Sequence, residues 1–433
     1  MEKVNRKVTY RLYPSCSQEN KMEETLRLHQ RLYNACLEQR IDAYKRCDIS
    51  LTYNDQASDL TLLRSEFPEY RSLNAQSEQV TLKRLDRAYK NFFRRVKSGE
   101  KKAGFPRFKS FDRYKGWGYA SHGDGWKVFL KEHFLNGYVR LSGIGHIQMR
   151  GRARKDPRKK GVLEREPGRP KTSEIIRKSG KWYISITFER YEPGRDSGSD
   201  IVGVDWGTSK LLTILRLQDG KVCEKENPRH LKKYSQSLAN TQKILSRKKK
   251  GSERRKKAKA KLAKIHEKIA NVREDHLHKE SSKLVANSRI IATEKLNIKA
   301  TTASGGSRKK GLNRSILDTA PGMFFKFVQY KAVEAGIGYH EIPTRKVKPT
   351  QTCSHCGHRA KKTLSERVHS CNECTLTIDR DVNSCLVMIY YALTGSPSFV
   401  QAKVTGWEPS SGVEGEVTFP LKRETPPIPE HTH

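Results

Sequence analysis

Residues 353–383, CSHCGHRAKKTLSERVHSCNECTLTIDRDVN, constrain this chain more than any other stretch. Cys353-x-x-Cys356 and Cys371-x-x-Cys374 are two cysteine pairs with fourteen residues between them. A Cys-x-x-Cys turn aims two sulfurs at one ion, and two such turns close a tetrahedral, water-free zinc site. Gly357 follows the first pair and suits a turn whose amide approaches a thiolate. Just past the last cysteine come Asp379, Asp381 and Asn383, then the apolar run from Cys385 to Tyr391. That order predicts a metal-stapled knuckle delivering carboxylates to the start of a buried helix. The cysteines alone also fit a ribbon that only holds a fold together; the acidic step after them argues for more.

A chain of 433 residues has room for roughly two to four domains. Its 86 Lys and Arg against 47 Asp and Glu leave a net charge of +39, the footprint of a polyanionic partner. A membrane is the rival, but the longest apolar run, near Cys385 to Leu393, is about half the ~20 residues a span needs. No charged-then-apolar leader precedes the first strand, so secretion is not expected. Nine cysteines, four of them in ligand pairs, fit a reducing cytoplasm better than a disulfide scaffold. Cys16, Cys36, Cys47, Cys223 and Cys385 read as small core or surface residues.

The N-terminal run VNRKVTYRLYP alternates and reads as a strand stopped by Pro14. From Gln18 to Asp48, Met22, Leu26, Leu32, Cys36 and Ile41 recur at helical spacing. A second helical block runs from Tyr53 to Val96, where Val80, Leu82, Leu85, Ala88, Tyr89 and Phe92 form one stripe, read as packing core. Lys83, Arg84, Arg87, Lys90, Arg94 and Arg95 lie on its other face, able to run along phosphates. Between about 112 and 198 short strands alternate with Gly and Pro turns, among them Val139–Ser142, His146–Met149 and Trp182–Phe188. With the first strand they predict a small β-barrel into which the helices are inserted. Residues 150–171 read as a mobile basic loop and 191–200 as a linker.

After the linker an apolar strand carries Asp205. Residues 228–286 read as two long helices flanking residues 246–264, which hold eleven Lys or Arg against one Glu. Such a run is often a solvated face or a disordered tail. Here Leu262, Ile265, Ile269 and Val272 keep an apolar stripe beside it, so a folded basic hairpin is expected. A buried strand ends at Glu294, a Gly/Ser/Lys loop covers 304–311, one helix spans Ile316 to Gly336, and Tyr339 opens another strand. Residues 396–433 are polar and Pro-rich and read as a disordered tail.

Asp205, Glu294 and Asp381 each sit at the edge of an apolar segment, where a carboxylate is costly to bury unless paired or bound to metal. An RNase H-like sheet uses this order of acids, one on the first strand, one after a later strand and one opening a C-terminal helix. The three are expected to meet closely enough to hold two Mg²⁺ ions about 3.5–4 Å apart. Hard cations need oxygen ligands, which leaves the cysteines out of that task. Any one of these acids alone also fits a solvated strand end.

Five blocks then carry a resemblance: GVDWGTSKLLTI, ATEKLNIKA, LNRSILDTAPGMFFKFVQYKA, PTQTCSHCG and CNECTLTIDRDVNSC. With RLYP, AYKNFF and FPRF they resemble the TnpB family, RNA-guided nucleases of bacterial insertion sequences, and the related compact type V CRISPR effectors. The resemblance runs from RLYP to about Leu393. It implies a multidomain α+β chain: a WED-like barrel (1–17 and 104–198), a helical REC-like insertion (18–103), a RuvC-like nuclease (199–352 and 379–395) and a zinc ribbon (353–378). It implies catalytic roles for Asp205, Glu294 and Asp381, with Asp381 preferred over Asp379 for its place two residues before Asn383. Arg367 matches an arginine set to meet the scissile phosphate. Tyr53 and Gln79 match a reader of a short DNA motif, and Lys248, Lys249, Lys250, Arg254 and Arg255 belong to the nucleic-acid-binding hairpin. Ser384-Cys385 departs from the family's Ala-Ala, and Pro321 replaces a usual aromatic.

The implied activity is guide-RNA-directed hydrolysis of double-stranded DNA, with structural Zn²⁺ and catalytic Mg²⁺, by a bacterial cytoplasmic protein that is monomeric and free of membranes. Three alternatives stay open: a CRISPR effector with a separate crRNA, a transposase or junction resolvase on the same core, and a guided repressor that does not cut.

Overall fold

The computed structural model describes residues 3–100, 103–131, 134–151, 168–191, 198–303, 305–363 and 366–402. Most of the expected basic loop, most of the linker and the tail beyond 402 lie outside the described residues. The chain forms two compact units, Met1–Tyr191 and Glu192–His433.

The first unit runs β1 (Lys3–Tyr13), α1 (Cys16–Cys47), α2 (Tyr53–Glu66), a 3₁₀ turn (Pro68–Ser72), α3 (Ala75–Lys97), β2 (Gly116–Tyr119), β3 (Trp126–Leu130), β4 (Asn136–Leu141), β5 (Gly145–Arg150), β6 (Arg169–Lys178) and β7 (Lys181–Tyr191). Ser15 starts α1 with a capping box to Gln18, which satisfies helix-end amides on both sides. Its buried face, including Met22, Leu26, Leu32 and Leu37, packs with Leu82 and Leu85 of α3. The strands order as β2-β6-β7-β1-β5-β4-β3, antiparallel throughout. Alternation puts Val8, Tyr10 and Leu12 of β1 in one core with Trp182, Ile184, Ile186 and Phe188 of β7. Among the described residues β2 and β3 do not pair with each other, so the sheet is open and curled where a closed barrel was expected. Helices α1 and α3 pack on β2 at one edge of it, where His29 of α1 stacks on Trp117, ring centroids 6.0 Å apart. Residues 169–171, expected in the basic loop, begin β6.

The second unit runs β8 (Asp200–Trp206), β9 (Lys210–Arg216), β10 (Val222–Glu226), α4 (His230–Lys233), α5 (Ser235–Ser246), α6 (Glu253–Asn287), β11 (Ser288–Glu294), α7 (Ile298–Thr301), α8 (Ser307–Thr319), α9 (Pro321–Ala335), β12 (Gly338–Ile342), α10 (Thr344–Val347), β13 (Val368–Ser370), β14 (Thr377–Asp379), α11 (Arg380–Thr394) and α12 (Phe399–Ala402). Its five-stranded mixed sheet orders as β10-β9-β8-β11-β12. β8 and β11 are parallel, as are β11 and β12, while β9 and β10 run antiparallel. Val202, Val204 and Ile291 face Leu277, Leu284, Phe324 and Val328 of α6 and α9. The opposite face, with Ala292, Leu215 and partly buried Ile201, lies under Val382, Cys385 and Leu386 of α11. Helices therefore cover both sides of the sheet, and the α11 side carries the acids.

Three expectations fail here. The helix expected over Ile316 to Gly336 is two helices, because Ala320 adopts a left-handed conformation (φ 49°) and Pro321, without an amide hydrogen, opens α9. The expected loop at 304–311 gives way at Ser307 to α8. The segment after Gly395 is also built at its start: the Phe399 N–H donates to the Ser354 carbonyl (2.8 Å) and the Val400 N–H to the His355 carbonyl (3.0 Å).

Candidate active site and metal centre

Asp205 is the penultimate residue of β8 and Glu294 the last of β11. The parallel register pairs Val204 with Thr293, so the two carboxylates stand side by side at the carboxyl ends of neighbouring strands. Open α/β sheets bind ligands at such ends. Gly203 brings in the third acid. A Cβ there would lie 2.5 Å from the Cys385 carbonyl oxygen, so only glycine lets α11 rest this close on β8. From Gly203 to Asp205 the strand advances about 6.6 Å. From Cys385 back to Asp381 the helix retreats one turn, about 6 Å. Asp381 is thereby carried to Asp205.

The electrostatics record that meeting. Burial pushes the Asp205 carboxyl well above the usual carboxylate range, and the charges of Glu294 and Asp381 push it the same way. The Trp206 N–H, donated to Asp205 Oδ1 at 2.9 Å, works against this. Glu294 is also raised by burial, opposed by the Thr344 hydroxyl. Asp379 and Asp381 separate by geometry: Asp379 Oδ1 accepts the N–H groups of Asp381 (2.8 Å) and Val382 (3.1 Å), which makes it the helix cap. Arg380 Nη2 lies 3.3 Å from Asp381 Oδ1 while its Nη1 donates to the Glu366 carbonyl at 2.7 Å. Exposed Arg367 reaches Asp381 Oδ2 at 3.9 Å.

The three carboxylates do not all close round one point. Among the described residues only the four cysteines place their donor atoms all within 4.8 Å of one another. Asp381 also meets the guanidinium groups of Arg380 and Arg367. Two ions about 3.5–4 Å apart need no such single-ion closure of their ligands, and an all-oxygen donor set suits Mg²⁺.

The cysteines meet the requirement for zinc. Cys353 and Cys374 Sγ are 3.6 Å apart, as are Cys356 and Cys371 Sγ. Tetrahedral zinc with bonds of about 2.3 Å sets its sulfurs about 3.8 Å apart, far beyond a disulfide. Gly357 takes φ 82°, the left-handed turn its position required, and the His358 N–H points at Cys356 Sγ (3.4 Å). The Lys362 ammonium, whose pKa burial lowers, feels Cys353 and Cys371 and offsets their negative charge. Asn383 joins this knuckle to α11. Wholly buried, it accepts the Ser354 N–H and donates to the Thr352 carbonyl (2.8 Å) and the Pro349 carbonyl (3.4 Å).

The remaining residues singled out from sequence lie apart from the acids in kind. Lys249, Lys250 and Arg254 are exposed at the α5–α6 turn and Lys248 is half-buried there. Arg255 closes that turn, its Nη1 donating to the Leu245 (2.8 Å) and Lys248 (2.9 Å) carbonyls. In the first unit Lys83 Nζ sits 5.4 Å over the Tyr53 ring, one helical turn beyond exposed Gln79. Sequence reasoning missed Gly203, Thr344 and Arg380, and treated Asn383 only as a landmark. A polar residue inside an apolar run is the signal that marks Asn383.

Residues 185–304 match a family described as "Probable transposase", residues 322–388 a "Cas12f1-like, TNB domain", and residues 1–48 a "Helix-turn-helix domain", although β1 and the single helix α1 occupy that last span. In fold the chain is similar to Cas12f1 in its complex with sgRNA and target DNA, with a TM-score of 0.58 at 12% identity, over 89% of this chain and 99% of that one. The fold is thus that of the compact Cas12-type proteins. Relatives sharpen this. The chain is 32% identical over 389 residues to "Putative RNA-guided DNA endonuclease InsQ" of Escherichia coli (strain K12), covering 86% of this chain and 89% of that protein. It is 28% identical over 401 residues to a protein of the same description from Streptomyces pristinaespiralis, covering 92% and 91%. The chain belongs to the TnpB family of insertion-sequence-encoded RNA-guided nucleases.

Proposed function

We propose that this protein is an RNA-guided DNA endonuclease with one hydrolytic site made of Asp205, Glu294 and Asp381. The observation that carries the reading is geometric: Asp205 and Glu294 stand side by side at the carboxyl ends of β8 and β11, and the close approach at Gly203 brings the helix bearing Asp381 over them. Burial, then the charges of Glu294 and Asp381, raise the Asp205 carboxyl accordingly. Repelling acids gathered this way, at a cost to the fold, mark a cation-dependent site. When bound, Mg²⁺ supplies Lewis-acid stabilisation and a water of lowered pKa. The three side chains provide the oxygens that would hold it. Arg367 stands at the exposed rim beside Asp381, placed to take a phosphodiester oxygen, while Arg380 orients the Asp381 carboxylate from below.

The four cysteines are proposed to hold a structural zinc that braces α11 through Asn383. The basic α5–α6 turn would run along nucleic-acid backbone, and Tyr53 and Gln79 would read a short DNA motif. Specificity over a longer target would come from pairing between a bound guide RNA and one DNA strand, the protein contributing shape and backbone contacts. The relatives' descriptions and the Cas12f1 fold support this partner set.

The test is single substitution of each acid, Asp205→Ala, Glu294→Ala and Asp381→Ala, in the protein purified with its co-expressed RNA. Cleavage of plasmid DNA should vanish in all three while guided binding persists. Retained cutting in any one rejects the assignment of that acid.

A further inference from the structure

The apolar stripe of α3 outruns the core it packs on. Leu82 and Leu85 are buried, Tyr89 and Phe92 are half-buried, and Phe93 and Val96 lie open. The loop after α3 folds back across this end. Arg95 pins it, Nη2 donating to the Gly104 carbonyl at 2.9 Å and Nε to the Ala103 carbonyl. Phe105 then stands edge-on to Tyr89 and to Phe92, with ring centroids 5.6 and 5.2 Å away. Phe93 leans on Phe92 at 5.2 Å. Two rings of this cluster nevertheless stay exposed, 54% for Phe93 and 46% for Phe105, and Phe108, three residues beyond Phe105, is 51% exposed.

Such an aromatic patch on a soluble protein marks an interaction site. Its surroundings select the partner. Exposed Arg94 follows Phe93, Lys97 stands one helical turn beyond it and Arg107 lies between Phe105 and Phe108; none of these side chains has a hydrogen bond or ion pair among the described residues. Rings set among cations suit nucleotides, whose bases stack while their phosphates meet the charges. Duplex DNA keeps its bases stacked inside, whereas loops and bulges of a folded RNA present them.

We propose that Phe93, Phe105 and Phe108 form a stacking platform for unpaired bases of a bound RNA, with Arg94, Lys97 and Arg107 on the flanking phosphates. The choice of RNA over another anion rests on the function proposed above; the geometry of the platform does not.

The experiment measures affinity of the full chain for a single-stranded oligouridylate, the same RNA paired into a duplex, and single-stranded oligothymidylate. Phe93→Leu and Phe108→Leu keep apolar bulk and remove the ring, so folding, checked by thermal melting, should be retained. Each should weaken oligouridylate binding about tenfold, the loss of one stacked base, with the salt dependence unchanged. Phe93→Trp should restore or exceed wild-type affinity, and duplex binding should not move. Wild-type affinity in both leucine variants overturns the proposal, as does a preference of the unaltered protein for duplex. A loss confined to oligothymidylate, or larger there, assigns the surface to DNA and overturns the RNA assignment. Cleavage is not read, so failure of the nuclease assignment and failure of this platform remain distinguishable.

Discussion

The Asn383 carboxamide oxygen accepts the Ser354 N–H at 2.9 Å, across 29 residues of chain, and so ties the first cysteine turn to the helix that carries Asp381. Asn383 sits two residues from that acid and is fully buried. Asn383→Ala would strand the Ser354 N–H and the Thr352 carbonyl, each a buried group whose lost partner costs about 1–3 kcal/mol. We expect a loss of about 2–4 kcal/mol in urea unfolding, retained zinc, and a higher magnesium requirement for cleavage. A variant with wild-type stability and wild-type magnesium dependence would remove the proposed link between knuckle and active site.

Asp205 gives a signed prediction. Its folded pKa and that of Glu294 lie above their unfolded values of about 4. From about pH 4 upward the folded state therefore holds more protons than the unfolded one, and stability falls as pH rises towards the folded values. In EDTA at neutral pH, Asp205→Asn should melt higher than the wild type, by about 2–4 °C for each 1 kcal/mol of repulsion removed. Millimolar Mg²⁺ should raise the wild-type melting temperature and leave the variant unmoved. A wild type indifferent to Mg²⁺ would count against cation binding at these acids.

The thiolate cluster makes a separate claim about folding. Replacing Cys353 or Cys374 with Ser opens a site whose sulfurs pair at 3.6 Å. Zinc binding is folding free energy in small knuckles. Each variant should lose its zinc, and limited proteolysis should then cut within residues 349–402, because the α12 segment hydrogen-bonds to Ser354 and His355. Full zinc content in either variant, read by mass spectrometry, would exclude that cysteine as a ligand.

What the sequence revealed follows from how local each signal is. The cysteine spacing and the apolar strands before Asp205 and Glu294 are short-range patterns, and the structure has the sulfurs together and both acids at strand ends. The first-unit sheet was harder to read. β2 is Gly-Trp-Gly-Tyr and β3 alternates over only five residues, so neither stands out from turn sequence, and Trp117 becomes core through partners distant in sequence, His29 of α1 and Trp182 of β7. Pro321 was visible as a departure, but its effect needed the left-handed Ala320 before it. Arg255 looked like one more cation in a basic run; only the folded turn shows its guanidinium spent on two carbonyls. Gly203 carries no pattern at all, since its role is set by a backbone 182 residues away.

In the first unit two buried groups oppose each other across the acid range. His29 is enclosed between α1 and α3, with Nδ1 2.9 Å from Thr81 Oγ1 and Nε2 3.2 Å from Ser77 Oγ. Burial lowers its pKa to about 3, helped by the nearby Arg84 charge. Below about pH 6.5 the unfolded chain takes up this proton first, so His29 removes stability as pH falls towards 3. Glu78, on the same helix as Thr81, is raised by burial to about 7 despite Arg64 at 2.8 Å. Its folded form takes the proton first, so between about 7 and 4.5 acidification adds stability. The two slopes, each about 1.4 kcal/mol per pH unit, cancel between roughly 6.5 and 4.5. His29→Gln should uncover Glu78, with stability rising as pH falls through that window. Glu78→Gln should uncover His29, with stability falling over the same window. Urea midpoints for the two variants, each taken as a difference from wild type, should diverge in opposite directions on acidification; parallel curves would show that neither group titrates as its burial dictates.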